Sequence, residues 1–329
     1  MIRGLADNLL DLTIAPGFSR AGWAARRSLG LLEPVDADLT GKICVVTGAN
    51  SGLGLECSLQ LARLGADLVL VGRNPERLAA AREAVEAELT RGASASVEVI
   101  DLSSLESVRA GAARLLEAHP QIDVLVNNAG VLLDSRRLSA DGIEMTLATN
   151  ALGPFLLTEL LEPALAAAAS AHGSARVVNV SSGGMYSQGV DLDNLQFSDP
   201  DWSGSAAYAR TKRIQVMLTE YWARRFADQG IVVNAMHPGW ADTPGVESSL
   251  PTFHKLVGAG LRTPAEGADT ITWLAASEEA AGVSGGFWHD RRERPVNRRP
   301  GTSSQPGDDA RLAAALADLA GLDLADVAG

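Results

Sequence analysis

The fold is decided by the stretch Ile43-Cys44-Val45-Val46-Thr47-Gly48-Ala49-Asn50-Ser51-Gly52-Leu53-Gly54. Its apolar beginning predicts a short buried parallel strand, and a helix is predicted from about Gly54 to Leu64. A glycine-rich turn between a strand and a helix can bind a diphosphate through backbone N–H groups and the positive end of the helix dipole. Because glycine triplets also occur in ordinary tight turns, the prediction depends on this position between strand and helix.

Strands and helices alternate along the chain from this stretch to residue 276, with short connections. Further strands are predicted at 67–71, 97–100, 124–126, 176–180 and 231–235. Further helices are predicted at 75–89, 105–118, 143–161, 208–227 and 265–276. This alternation is typical of an α/β fold, here a single Rossmann-type doubly wound parallel sheet with helices on both faces.

Three parts of the chain are expected from this pattern. Residues 1–38 form an N-terminal helical extension, and residues 39–292 form the Rossmann dinucleotide-binding and catalytic domain. Residues 293–329 form a C-terminal tail, whose Ala/Leu-rich stretch at 310–322 predicts a terminal helix that packs on the domain.

Composition limits the class of protein. Hydrophobic residues make up 46% of the 329 residues and charged residues 21%, as in globular proteins. The net charge of -12 argues against a nucleic-acid partner. Cys44 and Cys57 are too few for a disulfide framework, and no residue cluster has metal-ligand spacing, so we expect no metal. No apolar run reaches the ~18 residues of a membrane span and no signal peptide is evident, which favours a cytoplasmic location.

The N-terminal extension is too rich in apolar side chains for a disordered tail. Four of them could share one helix face: Leu5, Leu9, Leu12 and Ile14. Pro16-Gly17 is expected to interrupt this helix. We expect the extension to dock on the protein's own surface. Its arginines leave peripheral membrane contact through residues 1–38 as an alternative, which Asp7 and Asp11 weaken.

The end of the second strand, Val71-Gly72-Arg73-Asn74, bears on the choice of cofactor. In folds of this type an acidic side chain at this point binds the adenine ribose hydroxyls of NAD, whereas an arginine can pair with the 2′-phosphate of NADP. Because no acidic residue stands at 71–74, NADP(H) is predicted, with NAD(H) less favoured. The alternative is that Arg73 is a solvated loop charge.

Tyr208 and Lys212 are predicted to lie one above the other on a helix face, because they are four residues apart. An ammonium group beside a tyrosine favours the phenolate and should lower its pKa. Such a tyrosine can protonate a developing alkoxide or deprotonate an alcohol. A tyrosine and a lysine at this spacing also occur by chance on many helices. Here the pair indicates a catalytic site because it follows Ser181-Ser182 in a nucleotide-binding fold.

Asparagines at two further places are candidates for the site. Asn127-Asn128-Ala129-Gly130 follows the fourth strand, where small residues let a cofactor lie against the sheet. Asn150 precedes Gly153-Pro154, which distort helices and can free a carbonyl as an anchor for a water leading to Lys212. The alternative for Asn150 is a helix cap.

Together these motifs resemble the short-chain dehydrogenase/reductase family over residues 40 to about 290. The matching pieces follow one another along the chain as Thr47–Gly54, Asp101-Leu102, Asn127–Gly130, Asn150, Ser181-Ser182, Tyr208–Lys212 and Pro238-Gly239 with Thr243. Residues 191–195 are similar to retinol-dehydrogenase-like members. Segments 181–185, 236–246 and 285–291 narrow the likeness to one branch of the family.

The resemblance implies a set of site residues. The catalytic tetrad would be Asn150, Ser182, Tyr208 and Lys212, with Ser182 chosen as the second serine of its pair. Asp101 would contact the adenine, and residues 238–243 the nicotinamide. The predicted cofactor contacts are Gly48, Asn50, Ser51, Gly52, Leu53, Gly54, Arg73, Asn74, Asp101, Leu102, Asn128, Ala129, Gly130, Tyr208, Lys212, Pro238, Gly239 and Thr243. The distance in sequence from Ser182 to Tyr208 is longer than usual in the family, which bears on the substrate pocket and not on the chemistry.

The resulting functional prediction is an oxidoreductase that transfers a hydride between NADP(H) and an apolar carbonyl or alcohol, a small-molecule partner. Met185, Trp240 and Phe253 are candidates for pocket walls, or else for plain core. His237 is interpreted as a loop histidine and not as a general base. The alternative function is an NADP(H)-binding scaffold or redox sensor without turnover, for which Tyr208 and Lys212 would be unnecessary. A homodimer and a homotetramer are both compatible with the sequence.

Overall fold

The computed structural model describes residues 2–198, 200–243, 255 and 257–324. Eight strands form one sheet in the order β3-β2-β1-β4-β5-β6-β7-β8, parallel except for the final pair. The strands are β1 Ile43–Thr47, β2 Asp67–Gly72, β3 Ala95–Val99, β4 Val124–Asn127, β5 Ala175–Val180, β6 Ile231–Met236, β7 Phe287–His289 and β8 Arg292–Glu293. The predicted doubly wound fold is confirmed. Its strand order reverses between β1 and β4, where such sheets bind ligands.

Helices cover both faces of the sheet. They are α1 Ile2–Leu12, α2 Ile14–Phe18, α3 Arg20–Ser28, α4 Gly52–Arg63, α5 Pro75–Glu86, α6 Leu105–Ala118, α7 Met145–Leu147, a π-helical turn Ala148–Leu152, α8 Gly153–His172, α9 Gly204–Arg225, α10 Pro264–Ala276 and α11 Asp308–Ala320. Strand side chains alternate between faces. Val45 therefore packs with α6, α8, α9 and α11, whereas Cys44 and Val46 pack with α4, α5 and α10.

The helix predicted at 143–161 differs most from the observed structure. It is divided into α7, the π-helical turn and α8, and it continues to His172. This segment, Met145–His172, has the length and apolar character of a membrane span, although the sequence was expected to contain none. Most of its apolar window, 78%, is buried inside the protein. Phe155 and Leu156 of this segment lie in the core between α8 and the sheet.

The N-terminal helices α1 to α3 dock on the catalytic domain through buried ion pairs. Arg26 donates to Asp7 at 2.7 Å and to Asp290 at 2.6 Å. Arg294 donates to Asp7 at 2.8 Å. Phe18 lies in a hydrophobic cluster with Met185 and Phe287, and its ring centroid is 4.5 Å from that of His237. The extension therefore packs on the protein's own surface, as expected.

The local structure of the extension departs from the prediction. The helix break falls at Thr13, and Pro16-Gly17 lies inside α2. Pro16 is tolerated because the first turn of a helix needs no N–H donor. Leu9 and Leu12 are 67% and 80% exposed, so they do not face the core. The side chains of Leu5 and Ile14 lie outside the described residues, and membrane contact stays a prediction.

Candidate active site

The glycine-rich turn lies at the carboxyl end of β1, and α4 begins within it at Gly52. Gly48 has a φ of +65°, which favours glycine, and a Cβ on Gly54 would lie 2.4 Å from the Gly48 carbonyl oxygen. The turn is thus closely packed against the loop after β4, since the same Cβ would lie 2.4 Å from Asn128 Nδ2. Ser51, Gly52 and Leu53 at the start of α4 line the adjoining cleft. Free backbone N–H groups at a helix start can bind a diphosphate.

A cleft of about 1020 Å³ opens beside this turn, at the carboxyl ends of the parallel strands. It brings together nearly all the residues predicted from the sequence. The predicted residues lining it are Gly48, Asn50, Ser51, Gly52, Leu53, Arg73, Asn74, Asp101, Leu102, Asn128, Ala129, Gly130, Ser182, Tyr208, Lys212, Pro238, Gly239 and Thr243. Gly54 and Asn150 are not among the lining residues and support the wall from behind.

One end of the cleft carries two exposed arginines. Arg73 follows β2, and Arg77 lies in the first turn of α5. The Asn74 side chain accepts a hydrogen bond from the Arg77 backbone N–H at 2.8 Å, so it caps α5. Asp101 lines the same end, and one of its carboxylate oxygens accepts from the Ser103 hydroxyl at 2.7 Å. Arg77 was missed in the sequence analysis, although its place one turn after Arg73 at a helix start could have indicated it.

The loop after β4 is fixed to β1 by polar side chains. The Thr47 hydroxyl donates to the Val126 carbonyl at 3.1 Å and accepts from the N–H groups of Asn128 and Ala129. Asn128 Nδ2 donates to the Thr47 carbonyl at 2.8 Å. These bonds fix the loop after β4, so that Ala129 and Gly130 line the cleft.

Tyr208 and Lys212 lie on α9 and line the cleft, where Lys212 is buried and Tyr208 is half-buried. The Tyr208 hydroxyl is hydrogen-bonded to Ser182. Lys212 Nζ lies 5.5 Å from the centroid of the Tyr208 ring. Burial raises the pKa of Tyr208, and the Ser182 hydrogen bond offsets part of that rise. Burial lowers the pKa of Lys212 to about 7.

The expectation that Lys212 lowers the pKa of Tyr208 below its ordinary value is therefore wrong. Two physical reasons account for it. Removal of the phenol from water disfavours the phenolate, and Lys212 itself is partly neutral near pH 7 because it is also desolvated.

The two serines after β5 have different environments. The Ser181 hydroxyl is buried and donates to the Lys212 backbone carbonyl at 2.7 Å. The Ser182 hydroxyl accepts from the Gly184 N–H at 3.1 Å and reaches Tyr208. Ser182 is thus the serine that presents its hydroxyl beside Tyr208, whereas Ser181 supports the backbone of α9.

Asn150 lies in the π-helical turn, behind the cleft wall. Its side chain accepts from the Val131 N–H at 2.7 Å and donates to the Val131 carbonyl at 2.9 Å. Pro154 has no N–H to donate to the carbonyl four residues earlier, which is that of Asn150. This freed carbonyl accepts from Gln215 Nε2 at 2.9 Å. The freed carbonyl was predicted; Gln215 as its partner was not.

The candidate pocket walls have different positions. Trp240 lines the cleft, as do Leu132 and Leu133, which the sequence analysis missed. Met185 is fully buried in the cluster around Phe18 and belongs to the core. Phe253 lies outside the described residues.

His237, interpreted as a loop histidine, is fully buried. It stacks on His289, with ring centroids 3.9 Å apart. It therefore belongs to the core under the docked extension.

Comparison with known proteins shows the family to which this chain belongs. The sequence model of the family described as short chain dehydrogenase matches residues 42–252. The chain belongs to this family. It is 37% identical to dehydrogenase/reductase SDR family member 12 of Bos taurus over 92% of this chain and 94% of that protein. It is 35% identical to retinol dehydrogenase 13 of Homo sapiens over 79% of this chain and 80% of that protein.

A solved structure, the RhlG/NADP active-site complex of Pseudomonas aeruginosa, has a TM-score of 0.62 and 25% identity, and covers 76% of this chain and 94% of that one. The likeness to member 12, which segments 181–185 and 236–246 indicated, is confirmed, and so is the likeness to retinol dehydrogenases, which residues 191–195 indicated. Residues 244–246 of the second segment lie outside the described part of the chain. The chain is an NAD(P)-dependent oxidoreductase of the short-chain family.

Proposed function

We propose that this protein transfers a hydride between NADP(H) and an apolar carbonyl or alcohol, with Ser182, Tyr208 and Lys212 as its catalytic residues and Asn150 as the residue that positions them. The observation that carries the proposal is the hydrogen bond between Ser182 and Tyr208 at the wall of the cleft that also contains the phosphate-binding turn. Two hydroxyls at one point can both bind a substrate oxygen. A binding scaffold would not require this pair.

Each residue of the set has a separate role in the proposed reaction. A nicotinamide cofactor bound along the cleft supplies or accepts the hydride. Ser182 donates a hydrogen bond to the substrate oxygen, and Tyr208 gives its proton to the alkoxide that develops during reduction. The Lys212 ammonium stabilises the phenolate that this leaves. Asn150 is the positioning residue of the set, because it holds Val131 and the cleft wall by paired hydrogen bonds.

Two features support NADP(H) as the cofactor. Arg73 and Arg77 are exposed at the end of the cleft that would receive the adenosine, and neither Gly72 nor Asn74 supplies a carboxylate there. Guanidinium groups bind phosphate by charge-assisted hydrogen bonds. RhlG, a structural relative, forms a complex with NADP.

The proposed substrate is apolar because of the walls near the catalytic pair. Leu132, Leu133 and Trp240 line this part of the cleft, with the hydroxyls of Ser187 and Ser205 nearby. Apolar walls with few polar groups are typical of pockets for small organic molecules. A cytoplasmic location, favoured by the unpaired Cys44 and Cys57, is part of the proposal.

The proposal is tested by following NADPH oxidation with a panel of aldehydes and ketones, including retinaldehyde because a relative is named a retinol dehydrogenase. We expect Tyr208→Phe to lower kcat by about 100-fold or more and to retain NADPH binding, since only the transferred proton is lost. Tyr186→Phe is the matched control, because the Tyr186 hydroxyl donates to the Pro295 carbonyl, away from the cleft.

Two outcomes would contradict the proposal. Near wild-type kcat in Tyr208→Phe would overturn the mechanism. Tight NADPH binding without oxidation by any carbonyl in the panel would favour the scaffold or redox sensor without turnover.

A further inference from the structure

Lys212 is held by two oxygens behind the cleft. Its Nζ donates to the Val180 carbonyl at 2.8 Å and to Gln215 Oε1 at 3.1 Å. The same Gln215 carboxamide donates from Nε2 to the Asn150 carbonyl at 2.9 Å. A single buried side chain thus connects the lysine of the site to the carbonyl that Pro154 leaves without its helical donor.

The orientation of this carboxamide is fixed by its two partners. An ammonium group only donates hydrogen bonds, and a backbone carbonyl only accepts them. The oxygen of Gln215 must therefore face Lys212 and its nitrogen must face Asn150. Rotation of the amide by 180° would place a donor against a donor and an acceptor against an acceptor.

We propose that Gln215 is a positioning residue of the active site, which anchors the Lys212 ammonium to the Asn150 carbonyl and so presents it to the cleft. The inference rests on the proposed function. It gives Gln215 the place that a water molecule was expected to occupy between Asn150 and Lys212.

Lys212 has one N–H group left for the cleft. An ammonium has three N–H groups. Val180 and Gln215 accept two, and the third remains for the cleft, which Lys212 lines. A Cβ on Gly130 would lie 3.3 Å from Nζ, so the lysine reaches the surface of the cleft at this glycine.

Gln215 also favours the charged form of Lys212. Burial lowers the pKa of this lysine to about 7, and no carboxylate in the described part of the chain contributes to the shift. Hydrogen bonds to the ammonium oppose the effect of burial. Loss of the Gln215 oxygen should leave less of the ammonium at neutral pH, and a carboxylate in its place should leave more.

The direct test is a titration of Lys212 by NMR with 13Cε-labelled lysine. The chain has only three lysines, Lys42, Lys212 and Lys255, so the signals can be assigned with Lys212→Arg. We expect Gln215→Met to lower the apparent pKa of Lys212 by about one unit, and Gln215→Glu to raise it. A residue that only fills space would not shift this pKa in opposite directions.

Kinetics supply the second readout. A fall of about one unit reduces the ammonium fraction at pH 7 from about one half to about one tenth, so kcat of Gln215→Met should fall about 5-fold with KM little changed. The deficit should shrink to about 2-fold at pH 6, where about one half of Lys212 in the variant is protonated. Thr219→Val is the matched control, because Thr219 lies one turn further along α9 and bonds to Asn179 and the Gln215 carbonyl.

The outcomes separate the two proposals. An unchanged titration of Lys212 in Gln215→Met would overturn the role of Gln215, and so would a shift of equal size in Thr219→Val. If Gln215→Met does not fold, a pKa of Lys212 that fails to rise in Gln215→Glu overturns it. If the wild-type protein reduces no carbonyl, the proposed function fails, while the titration still decides whether Gln215 anchors Lys212.

Discussion

Arg73 and Arg77 place two positive charges at one end of the cleft, where an anion can bind. They differ in how their positions are fixed. Arg77 belongs to the first turn of α5, and its backbone N–H is bound by Asn74, so its position is defined. Arg73 follows the end of β2 and is exposed to solvent, and no side chain in the described part of the chain binds its backbone N–H in this way. Both are screened by salt, so their effect on cofactor affinity should weaken as ionic strength rises.

Substitution of Arg73 should change the cofactor preference. We expect wild-type protein to bind NADPH more tightly than NADH, and Arg73→Asp to weaken NADPH binding by about 10-fold or more, since a charge-assisted bond is replaced by repulsion. Fluorescence titration of both cofactors measures this. Arg82→Ala, further along α5 and paired with Glu86, is the control that should leave the preference unchanged. Equal affinities of wild-type protein for the two cofactors would show that Arg73 is a solvated charge.

Individual residues of the site could be predicted where their spacing in the sequence indicated that they lie together. The four-residue separation placed Tyr208 and Lys212 together on a helix, and the serine pair supplied Ser182. Spacing could not give the pKa of either residue, because desolvation depends on what packs around them. Gln215 was missed for the same reason, since its role depends on Asn150, which is 65 residues away in sequence.

The docked extension depends on an ion network with Asp7 at one end. Burial raises the pKa of Asp7, but hydrogen bonds from Arg294 and Arg26 outweigh it and hold this pKa below the usual range. Arg262 continues the network by binding Asp290 at 2.6 Å. Asp7 and Asp290 are thus the carboxylates that pair with the buried arginines between the extension and the rest of the protein.

Removal of one charge should therefore loosen these helices. We expect Asp7→Asn to lower the free energy of unfolding by about 3 kcal/mol, because Arg26 and Arg294 would remain buried with one carboxylate fewer. Urea denaturation measures the effect. Glu86→Gln is the control, since Glu86 pairs with Arg82 at the surface, where such a pair contributes at most about 0.5 kcal/mol. Equal stability of the two variants would contradict the structural role of the network.

Elements with strong local signals were predicted well. The helix at 105–118 has the predicted bounds, because Ser104 caps its start and its apolar period is regular. Gly153-Pro154 predicted a distorted helix near Asn150, but no sequence signal specified that Ala148–Leu152 would form a π-helical turn. The helix break was predicted at Pro16-Gly17, because these residues usually end helices, but it lies at Thr13. Here Gly17 instead lets α2 approach α1, since a Cβ would lie 2.4 Å from the Leu10 carbonyl oxygen.

Contacts between distant parts of the chain join the extension, the catalytic domain and the tail in one structure. His237 follows β6, His289 ends β7, and Phe18 of the extension covers both rings. His289 places its ring nitrogens 3.1 Å from the His237 carbonyl and 3.2 Å from the Gly17 carbonyl. Sequence patterns could not predict this cluster, because each member belongs to a different local segment.

This histidine cluster should make the folded protein sensitive to acid. Burial lowers the pKa of His237 and of His289 well below the ordinary value. The charges of His289, Arg262 and Arg298 also lower the pKa of His237, whereas Asp290 raises it. Arg262 and Arg26 also lower the pKa of His289, whereas its hydrogen bonds with the Gly17 and His237 carbonyls raise it without reversing the net direction. Both rings therefore stay neutral in the folded state at a pH where they would be protonated in the unfolded chain.

The folded protein should lose stability as pH falls, because the unfolded chain binds more protons. Below about pH 6.5 the unfolded chain binds protons that the folded protein does not, so stability falls as pH falls. Each histidine should contribute about 1.4 kcal/mol of this loss by pH 5.5, or about 3 kcal/mol for the pair. Urea denaturation at pH 7.5 and 5.5 should show the loss in wild-type protein and a smaller loss in His237→Asn/His289→Gln. His119→Gln removes a histidine outside the cluster and should keep the wild-type loss. If the double variant loses as much stability as the wild type, the acid sensitivity has another source.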